Sequence, residues 1–221
     1  LGESVKAKDF IVTFNEAGHI PGSSTILLES GRKRILYTGD VNGEQSQLLN
    51  PQFTDYGELD FVVTESTYAT SDHAPRSEVE QNFVKYAREV VERGGTLLVP
   101  AFSVGRAQEI ACVLKDANFP HTVAMDGMAL KTNDILNRYP DYLRDHKHLQ
   151  QTIDDLEIIT SWGARRKIIR SPSVIIAPAG MLVGGTSAYY TGKISEKKKN
   201  AISLVSFQAP GTAGRTLLEK G

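Results

Sequence analysis

Three side chains in the first part of the sequence have the chemistry of metal ligands. His19, Asp40 and Glu65 each follow a short β-rich run within a few residues. Because the ends of neighbouring strands lie along one edge of a sheet, we expect the three side chains to lie close together. Imidazole and carboxylate are ligands that zinc favours in hydrolytic sites, where an open position activates water. The pattern therefore predicts a metal site.

Each of these residues alone has a plainer explanation. A histidine in a glycine-rich turn, such as His19 after Gly18, is usually a surface or capping residue. Asp40 follows Thr38-Gly39 and is a common type of turn residue, and Glu65 could cap the segment after it. The combination of the three favours the metal site.

The elements that must position these side chains follow from the apolar runs. Residues 10–14 predict a strand. A cluster of turn residues at 21–24 follows it, so His19 is expected in the loop beyond the end of this strand. Residues 25–29 and 34–37 predict a hairpin whose second strand leads through Gly39 to Asp40. Residues 61–64 predict the strand that leads to Glu65.

Composition limits the class of protein. The chain has 221 residues, 40% hydrophobic and 23% charged, and a formal net charge of −1, so a nucleic-acid partner needs a local basic patch or a metal. A single cysteine, Cys112, excludes an internal disulfide framework and fits a reducing cytoplasm. Its apolar helical surroundings predict core packing. No apolar run reaches membrane-spanning length.

The rest of the sequence alternates helical and strand-like patterns. A helix with a capping-box start at Ser77-Glu78-Val79-Glu80 is expected, followed by helices at residues 105–117 and 128–137. The expected strands are residues 96–99, 122–125, 174–177 and 202–205. This alternation predicts an α/β fold with a parallel sheet covered on both faces.

Ligands of such sheets bind in the loops beyond the carboxyl ends of the strands. Several loops here contain glycine or arginine and lead into helices, which is typical of phosphate sites. The candidate phosphate contacts are Ser103, Arg106, Gly184, Gly185, Gly211, Thr212 and Arg215. Alternatively, the glycines only permit tight turns and Arg106 pairs with a carboxylate such as Glu109. The pattern alone does not separate these two interpretations.

Other polar and aromatic features are weaker indications of nucleic-acid binding. The basic runs Arg165-Arg166-Lys167 and Lys197-Lys198-Lys199 could extend a nucleic-acid track, but a solvated face is the ordinary explanation and is favoured. Tyr189-Tyr190 could stack a base or pack a helix. Trp162, at a predicted helix start, is expected in the core.

These motifs together resemble the β-CASP branch of the metallo-β-lactamase superfamily. Its members include archaeal and eukaryotic mRNA 3′-end processing nucleases of the cleavage and polyadenylation specificity factor type, and bacterial RNase J. The resemblance rests on an ordered series of motifs that covers nearly the whole chain. The motifs are Ala17-Gly18-His19-Ile20-Pro21-Gly22-Ser23, Tyr37-Thr38-Gly39-Asp40, Glu65-Ser66-Thr67-Tyr68, Pro100-Ala101-Phe102-Ser103-Val104-Gly105-Arg106, Asp126-Gly127-Met128-Ala129, Ala177-Pro178-Ala179-Gly180-Met181-Leu182-Val183-Gly184-Gly185 and Phe207-Gln208-Ala209-Pro210-Gly211-Thr212-Ala213-Gly214-Arg215.

The resemblance implies a fold and a chemistry. It implies part of a metallo-β-lactamase αββα sandwich at residues 1–69 and a β-CASP domain with a Rossmann-like parallel sheet at 70–221. It implies a cytoplasmic ribonuclease that uses two zinc ions, with His19 as a ligand and Asp40 as a bridging ligand. Glu65 is implied to orient a general-acid histidine. It favours single-stranded RNA as the partner of the phosphate-binding loops, with a homodimer or processing-complex subunits as further partners.

Some motifs of the family are absent from this sequence. A His-x-His-x-Asp-His motif is expected before His19, and two further histidines after Arg215. The only His-x-His here, His146-Lys147-His148, lacks the continuation and is interpreted as a solvated helix face. We therefore expect part of a ribonuclease that is inactive as this chain and does not retain two zincs.

Two alternatives remain. The first is a non-catalytic module that binds RNA or protein. The second is a DNA-processing nuclease, which the glycine-rich loops disfavour. In either case half a sandwich would expose apolar strands such as residues 26–28 and 61–63, so residues 1–69 are expected to pair with another copy or to be the least stable part.

Overall fold

A computed structural model describes residues 1–220 and divides the chain into two compact units. Unit 1 comprises Leu1–His73 together with Asp141–Asp145, and unit 2 comprises the remainder. The domain boundary predicted from the sequence lies after residue 69. The short return segment belongs to unit 1 because the backbone amide of Arg144 donates to the carbonyl of Leu48 at 2.9 Å, and its guanidinium donates to the carbonyl of Gln47.

Unit 1 contains one five-stranded sheet. Its strands are β1 (Ser4–Ala7), β2 (Phe10–Glu16), β3 (Ser24–Ser30), β4 (Lys33–Tyr37) and β5 (Phe61–Val63), which lie side by side in chain order. The pairs β1-β2, β2-β3 and β3-β4 are antiparallel, and β5 is parallel to β4. The predicted hairpin of β3 and β4 is confirmed, whereas β1 was not predicted.

The sheet of unit 1 is covered unevenly. Leu27 and Leu36 are buried, as are Leu48 and Leu49 of the loop that follows β4. All three residues of β5 are exposed, by 60%, 53% and 53%. The expectation of exposed apolar area is confirmed for β5, but it is wrong for Leu27, which is buried against the rest of the unit.

Unit 2 contains five strands and seven helices among the described residues. The strands are β6 (Thr96–Pro100), β7 (Val123–Asp126), β8 (Glu157–Ile159), β9 (Ser173–Ala177) and β10 (Ala201–Ile202). The helices are α1 (Arg76–Glu92), α2 (Arg106–Asp116), α3 (Met128–Arg138), α4 (His146–Asp154), α5 (Trp162–Ile168), α6 (Gly185–Ile194) and α7 (Ala213–Lys220). The predicted alternation of strand and helix is confirmed, although β8 was not predicted.

The sheet of unit 2 has the strand order β10-β6-β9-β7-β8, and every pair in it is parallel. Two buried apolar clusters surround it: one includes Leu97 and Val99, and the other includes Leu98 and Ile175. Successive strand residues therefore point into different clusters, as expected for a sheet covered on both faces. Cys112 of α2 is fully buried, as predicted.

Three local predictions are wrong. α1 begins at Arg76 with Pro75 as its N-cap and no side-chain cap, so Ser77 does not start a capping box. The fixed φ of proline suits a helix start and takes over this role. β10 is shorter than predicted and ends at Ile202. Trp162 does begin α5, but its side chain is 58% exposed rather than part of the core.

No helix within residues 1–220 is both long enough and apolar enough to cross a membrane.

Candidate functional site

The directions of the strands bring the three candidate metal-site residues of unit 1 to one edge of its sheet. β2 and β4 are each antiparallel to β3 and therefore run in the same direction, and β5 is parallel to β4. The carboxyl ends of β2, β4 and β5 consequently share an edge. His19, Asp40 and Glu65 follow these three ends.

A tight loop holds His19 just beyond β2. The amide of Gly18 donates to Oε1 of Glu16 at 2.8 Å, and the side chain of Ser23 accepts from the amide of Ile20 at 3.2 Å. Gly18 has a φ of +69°, and a Cβ there would lie 2.7 Å from the carbonyl oxygen of Asn42. Only glycine fits this position without displacing the neighbouring backbone.

The hydrogen bonds that extend β4 and β5 place Asp40. The amide of Thr38 donates to the carbonyl of Val63 at 3.0 Å, and the buried Thr38 hydroxyl donates to the carbonyl of Gly39 at 2.7 Å. Gly39 then turns the chain with a φ of +58°. As a result Nε2 of His19 lies 3.8 Å from Oδ2 of Asp40, and both side chains are accessible to solvent.

Glu65 lies beside this pair and is fixed by the same loop. Its Oε1 accepts a hydrogen bond from the amide of Val41 at 2.9 Å. Hydrogen bonding from Thr67, followed by that from the Val41 amide, holds the pKa of Glu65 below its usual value. His19 adds a smaller attraction in the same direction. Glu65 is therefore ionised at neutral pH and serves as an acceptor.

The pair formed by His19 and Asp40 fits zinc in ligand type and spacing but not in number. Zinc bonds to imidazole nitrogen and carboxylate oxygen are about 2.0–2.2 Å long, so two atoms 3.8 Å apart can reach one ion. Catalytic zinc sites use about three protein ligands. Within residues 1–220 no group of three His, Cys, Asp or Glu side chains could hold a metal.

The candidate phosphate contacts of unit 2 all follow the carboxyl ends of its parallel strands. Ser103 and Arg106 lie in the turn from β6 into α2, where Ser103 is half-buried and Arg106 is exposed as the first helical residue. The amide of Arg106 donates to the carbonyl of Val104 at 3.0 Å. Glu109, suggested above as its partner, forms an ion pair with Arg76.

Gly184 and Gly185 form the entry to α6 after β9. Both have positive φ, and a Cβ on Gly185 would lie 2.7 Å from the carbonyl oxygen of Pro178. Within residues 1–220 the amides of Gly184, Gly185 and Thr186 donate to no protein acceptor, whereas the Ser187 amide donates to the carbonyl of Pro178. This loop therefore keeps the amides that the phosphate prediction requires.

The third loop of unit 2, before α7, has fewer hydrogen-bond donors available to a phosphate. The amide and hydroxyl of Thr212 both donate to the carbonyl of Ala209, and the hydroxyl also accepts from the amide of Arg215 as the N-cap of α7. Nε of Arg215 is 2.6 Å from Oε1 of Glu219, one helical turn later. The amide of Thr212 is thus not available to a phosphate. Arg215 would have to release the carboxylate of Glu219 before its guanidinium could bind a phosphate. Gly211 is exposed at the turn.

A buried cluster at the same edge of unit 2 was not predicted. Asp126, at the end of β7, is fully buried and accepts two hydrogen bonds from the guanidinium of Arg165, at 2.7 and 2.9 Å. The hydroxyl of Tyr190 donates to the same carboxylate at 2.8 Å. Desolvation of the hydroxyl, with the neighbouring Asp126, raises the pKa of Tyr190 far above its usual value. The pKa of Arg165 is raised chiefly by its hydrogen bonds to Asp126.

An exposed aromatic side chain lies against this cluster. The guanidinium carbon of Arg165 is 4.7 Å from the ring centroid of Trp162, and the ring of Tyr189 meets the Trp162 ring edge-on at 5.2 Å. Arg165 is therefore not part of a solvated face, as the basic run had suggested, and Tyr190 packs a helix. An aspartate at the end of a buried strand was a usable signal, but its partners on α5 and α6 are too distant in sequence to infer.

Comparison with known proteins gives the family. Residues 107–217, about half of the chain, match the model of the Beta-Casp domain. The chain is 42% identical to RNase aCSPSF2 of Saccharolobus solfataricus over all of its length, which is 45% of that protein. It is 37% identical to Probable RNase MJ4 of Methanocaldococcus jannaschii, covering 97% of this chain and 52% of the relative. It is also 37% identical to Transcription termination factor FttA of the same organism, covering 92% and 35%.

The chain thus spans between about a third and about half of the length of these curated relatives. The matched residues include α2 from its second residue onward, β7, β9 and the loops that hold Gly184 and Arg215, and Arg106 lies just before the matched range. The chain therefore belongs to the Beta-Casp family, in the β-CASP branch of the metallo-β-lactamase superfamily.

Proposed function

We propose that this chain is part of a zinc-dependent ribonuclease that hydrolyses RNA phosphodiester bonds in RNA 3′-end processing or decay. The observation that carries the proposal is the meeting of His19, Asp40 and Glu65 at one sheet edge of unit 1. Two of these side chains are 3.8 Å apart and the third is held ionised. Membership of a family whose relatives include proteins named RNase supports the same chemistry.

Each of the three residues has a distinct role in this proposal. His19 and Asp40 supply an imidazole nitrogen and a carboxylate oxygen as ligands to zinc. Glu65 keeps a charged carboxylate beside them that orients a general-acid histidine absent from this sequence. Zinc, when bound, supplies Lewis-acid activation of water and neutralises charge on the phosphoryl group. Because two candidate ligands are fewer than a zinc site needs, the chain alone retains little metal and is inactive.

Unit 2 contributes phosphate contacts in the same proposal. The amides of Gly184 and Gly185 at the start of α6 provide donors next to the positive end of the helix. Arg106 and Arg215 add charge, and Ser103 and Gly211 line neighbouring loops. Since the net charge of the chain is −1, binding of RNA depends on these local groups rather than on bulk attraction.

Zinc content and cleavage test this proposal together. Elemental analysis of the purified chain should give far less than the two zincs expected for a working dinuclear site, and labelled single-stranded RNA should remain uncut. Titration with zinc should show weak binding that His19→Ala abolishes. The matched control is His146→Ala, which removes a half-buried histidine of α4 and should leave zinc binding unchanged.

Two results would contradict the proposal. The first is about two zincs per chain with metal-dependent cleavage, which would place a complete ligand set within this sequence or a second copy of it. The second is equal loss of zinc binding in both histidine variants, which would remove His19 from the site.

A non-catalytic RNA- or protein-binding module is the second candidate. It is favoured by the shortage of metal ligands within residues 1–220. The two candidates differ in the zinc titration, because a non-catalytic module does not need His19 to bind zinc. RNA binding together with zinc binding that is absent, or that His19→Ala leaves unchanged, would support the non-catalytic module.

A further inference from the structure

Trp162 is unusual in being both highly exposed and held in place. It is the single tryptophan of the chain, and its side chain is 58% exposed at the start of α5. Exposing so large an apolar ring to water is unfavourable unless the ring has another use. The ring also lies just beyond the carboxyl end of β8, at the sheet edge where ligands of parallel sheets bind.

The neighbours of Trp162 fix the ring, yet more than half of the residue stays exposed. Arg165 lies 4.7 Å from the ring centroid, and Tyr189 meets the ring edge-on at an interplanar angle of 81°. Arg165 is itself immobilised by two hydrogen bonds to the fully buried carboxylate of Asp126. A ring restrained in this way loses little conformational entropy when a flat ligand stacks on it.

The charges beside Trp162 indicate what would stack there. Arg166 and Lys167 on α5, and Arg170 just after it, are exposed and form no ion pair with a carboxylate within residues 1–220. Arg166 is four residues after Trp162 and therefore lies on the same face of the helix. A flat apolar platform next to unneutralised cations matches one nucleotide, with the base on the ring and the phosphate on the arginine.

We propose that Trp162 is a stacking platform for an unpaired nucleobase of RNA, with Arg166 as its phosphate contact and Arg165 as a positioning residue that fixes the ring. This inference rests on the proposed RNA-binding function and adds a base-contacting subsite to it. Stacking on an aromatic ring tolerates any base, because every base has a π face. Duplex RNA, whose bases are already stacked and paired, cannot use the subsite.

The single tryptophan makes the test direct. The 221-residue chain is titrated with a fluorescein-labelled single-stranded RNA decamer, and anisotropy of the label and intrinsic fluorescence of Trp162 are recorded in parallel titrations. We expect both signals to saturate with the same midpoint, with Trp162 quenched. An abasic ribose-phosphate decamer and a duplex of the same sequence should leave Trp162 fluorescence unchanged.

Variants separate stacking from structure. Trp162→Leu should weaken RNA binding about tenfold, whereas Trp162→Phe should retain most of the affinity because it keeps an aromatic face. Tyr139→Leu, which removes another exposed aromatic ring after α3, is the matched control and should bind RNA as the unmodified chain does. Circular dichroism establishes that each variant is folded.

The possible failures are distinguishable. RNA that raises the anisotropy without changing Trp162 fluorescence would overturn the stacking platform and leave the proposed function standing. Equal affinities of Trp162→Leu and the unmodified chain would do the same. No anisotropy change up to about 100 µM protein, the weak limit of non-specific nucleic-acid binding, would overturn RNA binding by this chain and the platform with it.

Discussion

Every residue of β6 and β9 in unit 2 is buried, whereas every residue of β5 in unit 1 is exposed. The sheet of unit 2 has an apolar cluster on each face; helices supply most of the buried residues of one cluster and three of the eight buried residues of the other. The sheet of unit 1 is joined by no α-helix among the described residues and depends on loop residues such as Leu48 and Leu49 for its core. Unit 2 therefore contains its own core, and unit 1 has apolar strand residues that water still reaches.

The polar interactions of the two units differ in the same way. Unit 2 contains an ion pair between the fully buried Asp126 and Arg165, whose side chain is 16% exposed. In unit 1 the pair of Arg34 and Glu29 leaves about a third of each side chain exposed. Solvent screens such exposed pairs, so the buried pair should matter far more to stability.

Removing the buried carboxylate should give the largest effect. Asp126→Ala leaves the guanidinium of Arg165 and the hydroxyl of Tyr190 without their carboxylate partner. It should lower the free energy of unfolding of unit 2 by about 3–5 kcal/mol. The matched change in unit 1, Glu29→Ala, should cost about 0–1 kcal/mol. Urea denaturation followed by circular dichroism measures both.

Tyr190→Phe refines this prediction. It removes one of three hydrogen bonds to Asp126 and should cost only about 1 kcal/mol. A loss for Asp126→Ala no greater than that for Tyr190→Phe would contradict the importance given to the ion pair.

Truncating apolar side chains of the strands should give the next largest difference in stability between the two units. Leu98→Ala empties a fully buried position of β6 and should cost about 2–5 kcal/mol, while Val62→Ala at an exposed position of β5 should cost less than about 0.5 kcal/mol. Urea denaturation followed by Trp162 fluorescence reports unit 2, and hydrogen exchange of residues 24–30 reports unit 1. If Val62→Ala were as damaging as Leu98→Ala, the face of β5 would be covered in solution, as pairing with another copy would achieve.

Substitutions of two glycines of unit 1 should act locally, on the loop that holds His19. Gly18→Ala places a Cβ against the backbone of Asn42 and should destabilise the His19 loop by roughly 2–3 kcal/mol. Gly39→Ala also has a positive φ but meets nothing within 4 Å, so about 1 kcal/mol is expected. Hydrogen exchange of the amides of Asn42 and Gln52 measures the local loss. Equal effects of the two substitutions would mean that the close approach at Gly18 relaxes without cost.

Sequence patterns predicted the parts of this molecule that depend on local periodicity. The runs at residues 96–99 and 174–177 gave two central strands of a parallel sheet, and the positions of His19, Asp40 and Glu65 after strand ends predicted their meeting at one edge. Such predictions succeed because side-chain periodicity and strand direction determine where a residue emerges.

The features that were missed depend on contacts between distant residues. Trp162 was expected in the core because tryptophan is large and apolar, yet its ring is held at the surface by Arg165 and Tyr189. The cluster of Asp126, Arg165 and Tyr190 spans three elements, and nothing in the local sequence patterns indicates it. Thr212 was assigned to phosphate on its glycine-rich surroundings, although its groups close the turn before α7.

The single cysteine gives the two-unit comparison an independent chemical readout. Cys112 is fully buried in the helix that follows β6, so a thiol reagent can reach it only when the surroundings of α2 open. The rate of thiol modification under native conditions therefore measures how often unit 2 opens, and unit 1 has no cysteine to contribute. One stoichiometric alkylation, followed by mass spectrometry over time, would report the opening of a single unit within the intact chain.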